Sequence, residues 1–194
     1  MIGSDAAPPT RGPNGFPYRA GSDGILAVGW GSGVADFTYL ISPIEAIQGR
    51  ARKDGTAIDW HFDDFDLADA QNVALGTDVA LVFIKANSGE GFLIVDGNVW
   101  GTNPSLCVSQ QLKSTPLRFQ DGDRNNLTAW ANGDNLVNAI ASVHKNTIVV
   151  VNSVGPLNVE PWIDHPNVTA VSSRMLLNSS SCEFIALMRY PFAT

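Results

Sequence analysis

Glu90 is the residue whose surroundings best suit it to chemistry. It lies in Asn87-Ser88-Gly89-Glu90-Gly91-Phe92, directly after the apolar run Val79-Ala80-Leu81-Val82-Phe83-Ile84. A buried strand that empties into Ser-Gly-Glu-Gly presents one carboxylate at the carboxyl end of a sheet, the edge where open α/β sheets place their ligands. Flanking glycines let a substrate approach the backbone closely. The pattern points to acid/base work by a single carboxylate, in a chain with only four glutamates. Ser88 lacks a Gly-x-Ser-x-Gly elbow and reads as a loop donor rather than a nucleophile. Further along, Asp123-Arg124 reads as an ion pair bracing the same loop.

Other chemistry-bearing residues give weaker patterns. His165 stands between Asp164 and Pro166 and reads as a turn residue, while His61 and His144 stand apart and suggest no zinc site. The set Asp63, Asp64, Asp66 and Asp69 lacks calcium-loop spacing and reads as a solvated helix start. Gly29-Trp30-Gly31-Ser32-Gly33 has neither the spacing of a dinucleotide loop nor a phosphate-binding lysine, so a tight structural loop is expected. No metal and no cofactor are expected.

The elements that position Glu90 follow from periodicity and punctuation. Residues 6–24 are rich in Gly, Pro, Asn and Ser and read as a long loop. Ser42-Pro43-Ile44-Glu45 predicts a helix through about Arg52, with Ser42 as N-cap, Pro43 at the first position and Glu45 completing a capping box, and Asp54-Gly55 ending it. A second helix is expected from Asp63 to Ala74, with acids at its favourable N-terminus. The strand Val79–Ile84 follows. Asn132-Gly133-Asp134 starts a helix carrying Leu136, Val137, Ile140, Ala141 and Val143 at amphipathic spacing. Two more strands are expected at Thr147–Val151 and Val168–Val171. Helices alternating with continuous apolar runs imply a mainly parallel sheet covered on both faces.

The bulk composition narrows the function classes. A length of 194 residues and 44% hydrophobic content suit one good-sized domain. A net charge of −7 with only 12 basic residues argues against nucleic acid as a partner. No apolar run reaches the roughly 18 residues of a membrane span. Met1 is followed by Ile2-Gly3-Ser4-Asp5, which has no signal-peptide character. Cys107 and Cys182 give neither a disulfide framework nor metal-site spacing. Three glycosylation sequons, at Asn126, Asn167 and Asn178, permit a secretory route.

Taken in order, many short motifs resemble the α/β sandwich domain of glycoside hydrolase family 3, in particular secreted fungal β-glucosidases. They begin with Gly3-Ser4-Asp5-Ala6, Gly29-Trp30-Gly31-Ser32-Gly33 and Ser42-Pro43, and continue through Asp78 to Phe83 and Asn87-Ser88-Gly89-Glu90-Gly91. Val95-Asp96-Gly97-Asn98, Gly122-Asp123-Arg124-Asn125-Asn126-Leu127, Thr147 to Pro156 and Glu160 to Thr169 complete the series. The resemblance implies a truncated three-layer α/β/α sandwich around a mostly parallel sheet, spanning residues 1–170.

Two segments depart from the family pattern. Val99–Gln120 separates Asp-Gly-Asn from Gly-Asp-Arg-Asn, which are nearly contiguous in the family, and a tail over 171–194 replaces a glycine-rich segment. The expectation is that 99–120 is an intron read in frame and that the tail begins in another.

The chemistry implied is retaining hydrolysis of terminal β-D-glucosyl residues from β-glucosides or cello-oligosaccharides, which requires two carboxylates about 5–5.5 Å apart. By resemblance Glu90 is the general acid/base and Phe92, with Ser88 beside it, lines the sugar site, where the family often has tyrosine. The nucleophile belongs to a (β/α)8 barrel domain that the chain lacks, so the chain alone is expected to be nearly inactive. Alternatively it is a non-catalytic product that at most binds sugar or a barrel partner.

Overall fold

The computed structural model describes residues 1–15, 23–28, 36–88, 124–175 and 184–187. Among them, α1 spans Pro43–Asp54, α2 Leu67–Ala74, β1 Ala80–Ala86, α3 Gly133–Val143, β2 Thr147–Ser153, α4 Glu160–Ile163, β3 Val168–Met175 and β4 Phe184–Leu187. The strands lie in the order β1-β2-β3-β4. β1, β2 and β3 are parallel, with Ala80 opposite Thr147 and Ala86 opposite Ser153 in the β1–β2 pair. β4 runs antiparallel to β3, so the expected tail supplies the backbone of an edge strand. The α/β class is the one the alternating pattern implies.

Local chemistry accounts for the element ends. The Glu45 carboxylate accepts from Ser42 N at 2.8 Å and Ser42 Oγ at 2.6 Å, fixing the start of α1. Gly55, left-handed at φ 68°, closes it. The second helix starts later than its acidic run suggests. Asp63 instead accepts from Phe65 N at 2.9 Å in a local turn, and Asp66 is the true N-cap, accepting from Asp69 N at 3.1 Å. The three central strands all extend beyond their expected carboxyl ends, because polar residues there, Lys85 and Asn152 among them, still pair in the ladder.

One face of the sheet carries the main core. Val82, Ile84, Val149 and Val151 pack against Leu136, Val137, Ile140 and Ala141 of α3, all nearly without exposure. Period-2 alternation sends Leu81, Phe83 and Lys85 to the other face. Gly133 permits the close approach of α3, since a Cβ there would stand 3.2 Å from Ile84 Cβ. Trp162 of α4 is buried and donates from Nε1 to Asp134 Oδ1 at 2.8 Å, tying α4 to the start of α3. Gln71 Nε2 donates to Ala139 O at 3.0 Å and holds α2 beside it.

The free edge of β1 is covered by the first residues of the chain. Ile2 N donates to Leu81 O at 2.9 Å and Phe83 N donates to Ile2 O at 2.8 Å, so Met1–Gly3 adds as a short parallel strap. His61 bonds to its outer side through His61 N to Met1 O and Gly3 N to His61 O. The strap then turns at Gly3, φ 104°, into a single helical turn over Ser4–Ala6.

Gly3 is where this arrangement is least tolerant. A Cβ there would lie 2.2 Å from Phe83 O, a backbone atom that cannot move aside. Gly12 shares the positive φ, at 80°, but has open space around it. Gly3→Ala is expected to destabilise the fold by more than about 3 kcal/mol and Gly12→Ala by about 1 kcal/mol. Denaturant melts of the two variants check this, and equal losses would mean that the strap does not seal β1.

Candidate functional site

The carboxyl ends of β1 and β2 gather a buried polar cluster from four separate segments. Lys85 and Asn152 occupy partner positions in the ladder, one residue short of each strand's end. Asp5, 1% exposed, accepts from Leu26 N at 2.7 Å and from Asn152 Nδ2. Lys85 Nζ donates to Gly24 O at 2.6 Å. Asp64, 7% exposed, accepts from Ser4 N at 2.7 Å and Ser4 Oγ at 2.5 Å. Its backbone oxygen accepts from Asn132 Nδ2 at 2.9 Å, at the entry to α3.

The electrostatics follow from this burial. Removal from water pushes the Asp5 carboxyl up from the ordinary 3.8 to about 7, against the Lys85 ammonium and the two donors that favour its charged form. Burial also raises Asp64, opposed by its bonds to Ser4 and by Lys85. One ammonium thus serves two sequestered carboxyls.

Above this cluster the strand exits are cross-tied. Arg124 N donates to Ser88 O at 2.6 Å, and Arg124 Nη1 donates to Pro156 O at 2.7 Å, in the turn that follows β2. Val154 N reaches back to Ala86 O at 3.2 Å, and Trp130 N donates to Lys85 O at 2.8 Å. Ser88 N is held by its neighbour's Asn87 Oδ1 at 2.7 Å, and Asn87 is buried. Gly155 is required here by close approach, because a Cβ would lie 2.7 Å from Arg124 Nη2.

The structure therefore brings Ser88 and Arg124 together at the expected edge. Glu90, Phe92, Asp123 and Asn178 lie outside the described residues, as do 99–120 and the Gly29–Gly33 loop. His165 is a turn residue, its Nδ1 accepting from Asn167 N at 3.2 Å. His144 packs against Thr77, with Nε2 3.0 Å from Thr77 O. Among the described residues no group of three or more His, Cys, Asp or Glu side chains is arranged to hold a metal. No helix among them is long and apolar enough to cross a membrane. The acidic run at 63–69 needs one correction: Asp64 turns inward to Ser4 rather than lying with its neighbours in solvent.

Sequence reasoning missed Asp5, Asp64 and Lys85 as a unit. The available signals were an aspartate directly after the apolar Ile2-Gly3 approach and a lysine inside an otherwise apolar strand. A groove of about 660 Å³ lined by Met1, Ile47, Ala51, Ile58, Val79 and Leu81 lies at the opposite, amino end of β1, away from these groups.

Comparison with known proteins settles the lineage. The profile of the glycosyl hydrolase family 3 C-terminal domain matches residues 1–186. This chain belongs to glycoside hydrolase family 3. It is 41% identical over 171 residues to beta-glucosidase 1 of Aspergillus aculeatus, covering 88% of this chain and 17% of that protein. It is 38% identical over 190 residues to the probable beta-glucosidase A of Aspergillus clavatus, covering 98% of this chain and 19% of that one.

Among solved structures, the Chaetomium thermophilum beta-glucosidase superposes with TM-score 0.70 at 42% identity, over 88% of this chain and 18% of that chain. A family 3 beta-glucosidase from Neurospora crassa gives TM-score 0.71 at 38% identity, over the same 88% and 18%. The chain thus spans about a fifth of the length of the relatives it matches.

Two outcomes are expected at this edge. The native state holds a proton on Asp5 that the unfolded chain has released between about pH 4 and pH 7, so stability from this group falls as pH rises through that window. Three pKa units correspond to roughly 4 kcal/mol. Asp5→Asn should flatten the decline in melting temperature across the window, and an unchanged slope would place the titration elsewhere. Gly155→Ala should displace the flexible Arg124 guanidinium from Pro156 at a cost of about 1 kcal/mol. Its readout is amide exchange at Arg124, expected about tenfold faster.

Proposed function

We propose that this chain is the acid/base-bearing domain of a secreted retaining β-glucosidase acting on terminal β-D-glucosyl residues, as in cellobiose breakdown. Glu90 protonates the leaving glycosidic oxygen and later activates the water that releases the sugar. Phe92 offers a ring face to the substrate, Ser88 a loop donor beside it, and Asp123-Arg124 braces the loop. The domain in this reading runs over residues 1–170, with 99–120 inserted and 171–194 as a tail.

The observation that carries this reading is the cross-tied exit of β1. Ser88, two residues before Glu90, is bonded through its carbonyl to Arg124, which in turn grips the turn after β2. A general acid must sit within hydrogen-bond reach of one oxygen, and a loop anchored at its base supports that requirement. The relatives compared above are named as beta-glucosidases, which supports that substrate class.

Coverage of about a fifth of its relatives' length favours a second statement about the isolated polypeptide. These 194 residues by themselves supply one carboxylate of the pair and turn over substrate only with a (β/α)8 barrel domain docked against them, since loss of one of two cooperating carboxylates removes most turnover. Exposed Tyr39 and Phe65, at 75% and 72%, are apolar side chains suited to such a contact.

The test is hydrolysis of an aryl β-glucoside by the full chain, alone and with a separately produced family barrel domain. Alone, the rate should match the blank. With the barrel it should rise, and Glu90→Gln should lower it by a factor of about 10² to 10⁴. Equal complementation by Glu90→Gln would remove Glu90 from the mechanism, and turnover by the chain alone would mean that it carries its own nucleophile.

A further inference from the structure

Lys85 and Asn152 are polar residues near the ends of apolar strands, and the ladder sets them opposite one another. Partner positions in a parallel pair send their side chains to the same face, from backbones about 5 Å apart. Asn152 is 4% exposed and Lys85 is half-buried, whereas Lys53 and Lys145 lie in solvent. The stretch that follows the first long loop closes over this pair. Gly24 O accepts from Lys85 Nζ at 2.6 Å, and two residues on, Leu26 N donates to Asp5 Oδ1 at 2.7 Å. The other Asp5 oxygen accepts from Asn152 Nδ2. An amine, a carboxamide and a carboxyl thus share one enclosed corner, with the carboxyl on the amide nitrogen.

These are the components of amide exchange. In water a lysine attacks a carboxamide very slowly, because the amine is protonated, ammonia leaves poorly and the two groups must first meet. The corner answers each difficulty. Register starts amine and amide from neighbouring positions, which replaces an encounter by a unimolecular step. Asp5 is 1% exposed, and desolvation raises its carboxyl to about 7 against the attraction of Lys85, so it exchanges protons near neutrality. Its contact with Asn152 Nδ2 puts such a proton on the atom that must leave. Asp64 does not compete for this task, because Ser4 N and Ser4 Oγ occupy its two oxygens.

We propose that Lys85 and Asn152 of the folded chain become joined by an amide bond between Nζ and Cγ, with Asp5 carrying the protons and ammonia leaving. No cofactor or second substrate takes part. The Asp5 carboxylate first takes a proton from the Lys85 ammonium, leaving both neutral in a site that disfavours charge. The Nζ lone pair then bonds to Cγ, and the carbonyl π electrons move onto Oδ1. Asp5 gives its proton to Nδ2, Oδ1 restores the carbonyl, and the Cγ–Nδ2 bond breaks with its electrons on the departing ammonia. The carboxylate takes the surplus Nζ proton and passes it to that ammonia, which leaves as ammonium. The one N–H that Nζ keeps can still donate to Gly24 O. The product ties β1 to β2 one residue below the end of each strand, at the base from which the proposed active loop departs. The assignment is independent of the chemistry proposed for Glu90.

The experiment uses the full chain made in a bacterial host, held at neutral pH and read by mass spectrometry. The intact mass should fall short of the sequence mass by one ammonia. Digestion should yield one branched peptide in which Lys85 Nζ carries the side-chain carbonyl of Asn152. An asparagine that cyclises onto its own backbone loses the same ammonia, so the fragmentation spectrum of the branch is the deciding readout. Chain dissolved and kept in urea should give the two peptides separately, and removal of the urea should start the linkage. Lys85→Arg keeps the positive charge and should abolish the branch. Asp5→Asn should slow its appearance by a factor of about 10² or more. A wild-type chain that melts cooperatively yet yields Lys85 and Asn152 in separate peptides would overturn the proposal whatever the variants do. A branch that forms as fast in urea, or as fast without the Asp5 carboxyl, would overturn it too.

Discussion

The carboxyl of Asp5 is taken almost completely out of water at the carboxyl end of a parallel sheet, and four stretches of chain are placed by how that polar group is met. Burying an ionised carboxylate without partners is prohibitive. Here the compensation comes from Leu26 N, Asn152 Nδ2 and the Lys85 ammonium. Leu26 belongs to the stretch that follows the first long loop, Asn152 to β2 and Lys85 to β1, while Asp5 arrives on the strap that seals β1. None of these donors is a sequence neighbour of Asp5. The cluster therefore acts as a register mark, because any slip of the strap along β1 would leave a charge unmatched.

Its position also decides what lies above it. Lys85 and Asn152 are partners in the ladder, and each strand has one more paired residue before its exit. The exits of β1 and β2 thus leave from adjacent points whose spacing is set by the sheet and whose base is pinned by the charges below. Arg124 then adds a second tie at Ser88 and Pro156. A half-buried lysine shared between two sequestered carboxyls is a poor contributor to net stability, because desolvation offsets most of the attraction. Its value is that alternative arrangements are far worse, which suits a part of the fold from which the loop proposed to act departs.

Much of the scaffold was legible in the residues because local and global signals agree. Ser42, Pro43 and Glu45 cap α1 as their spacing requires, and of the apolar positions expected to face inward on α3 the structure buries Leu136, Val137, Ile140 and Ala141 and leaves Val143 exposed. The errors came where a polar residue serves a distant partner. Asp63 and Asp64 look alike in a run of acids, yet one closes a local turn and the other reaches back to Ser4, sixty positions away. The apolar runs end at Ile84 and Val151, whereas hydrogen bonding in the ladder carries β1 and β2 on through Lys85 and Asn152. Periodicity reports which face is apolar and is silent about long-range polar matching. The motif series did better at the edge itself, since Ser88 and Arg124, far apart in sequence, meet there.

The two ends of β1 make different demands, and the contrast explains why the large groove does not mark the chemistry. At the amino end the groove beside Met1 and Val79 is lined by parts of α1, α2 and β1, and the ion pair on its wall, Arg50 Nε to Asp54 Oδ2 at 2.8 Å, is exposed to solvent. At the carboxyl end, chain segments converge on sequestered charge and the strand exits are tied to one another. A site that must hold one carboxyl to within a fraction of an ångström needs rigid support more than volume. When the catalytic pair is divided between two domains, as proposed for this family member, the cavity is completed only at their junction. Within this domain what can be built in advance is the support, and the packing of Asp5, Lys85, Asn152 and Arg124 provides it.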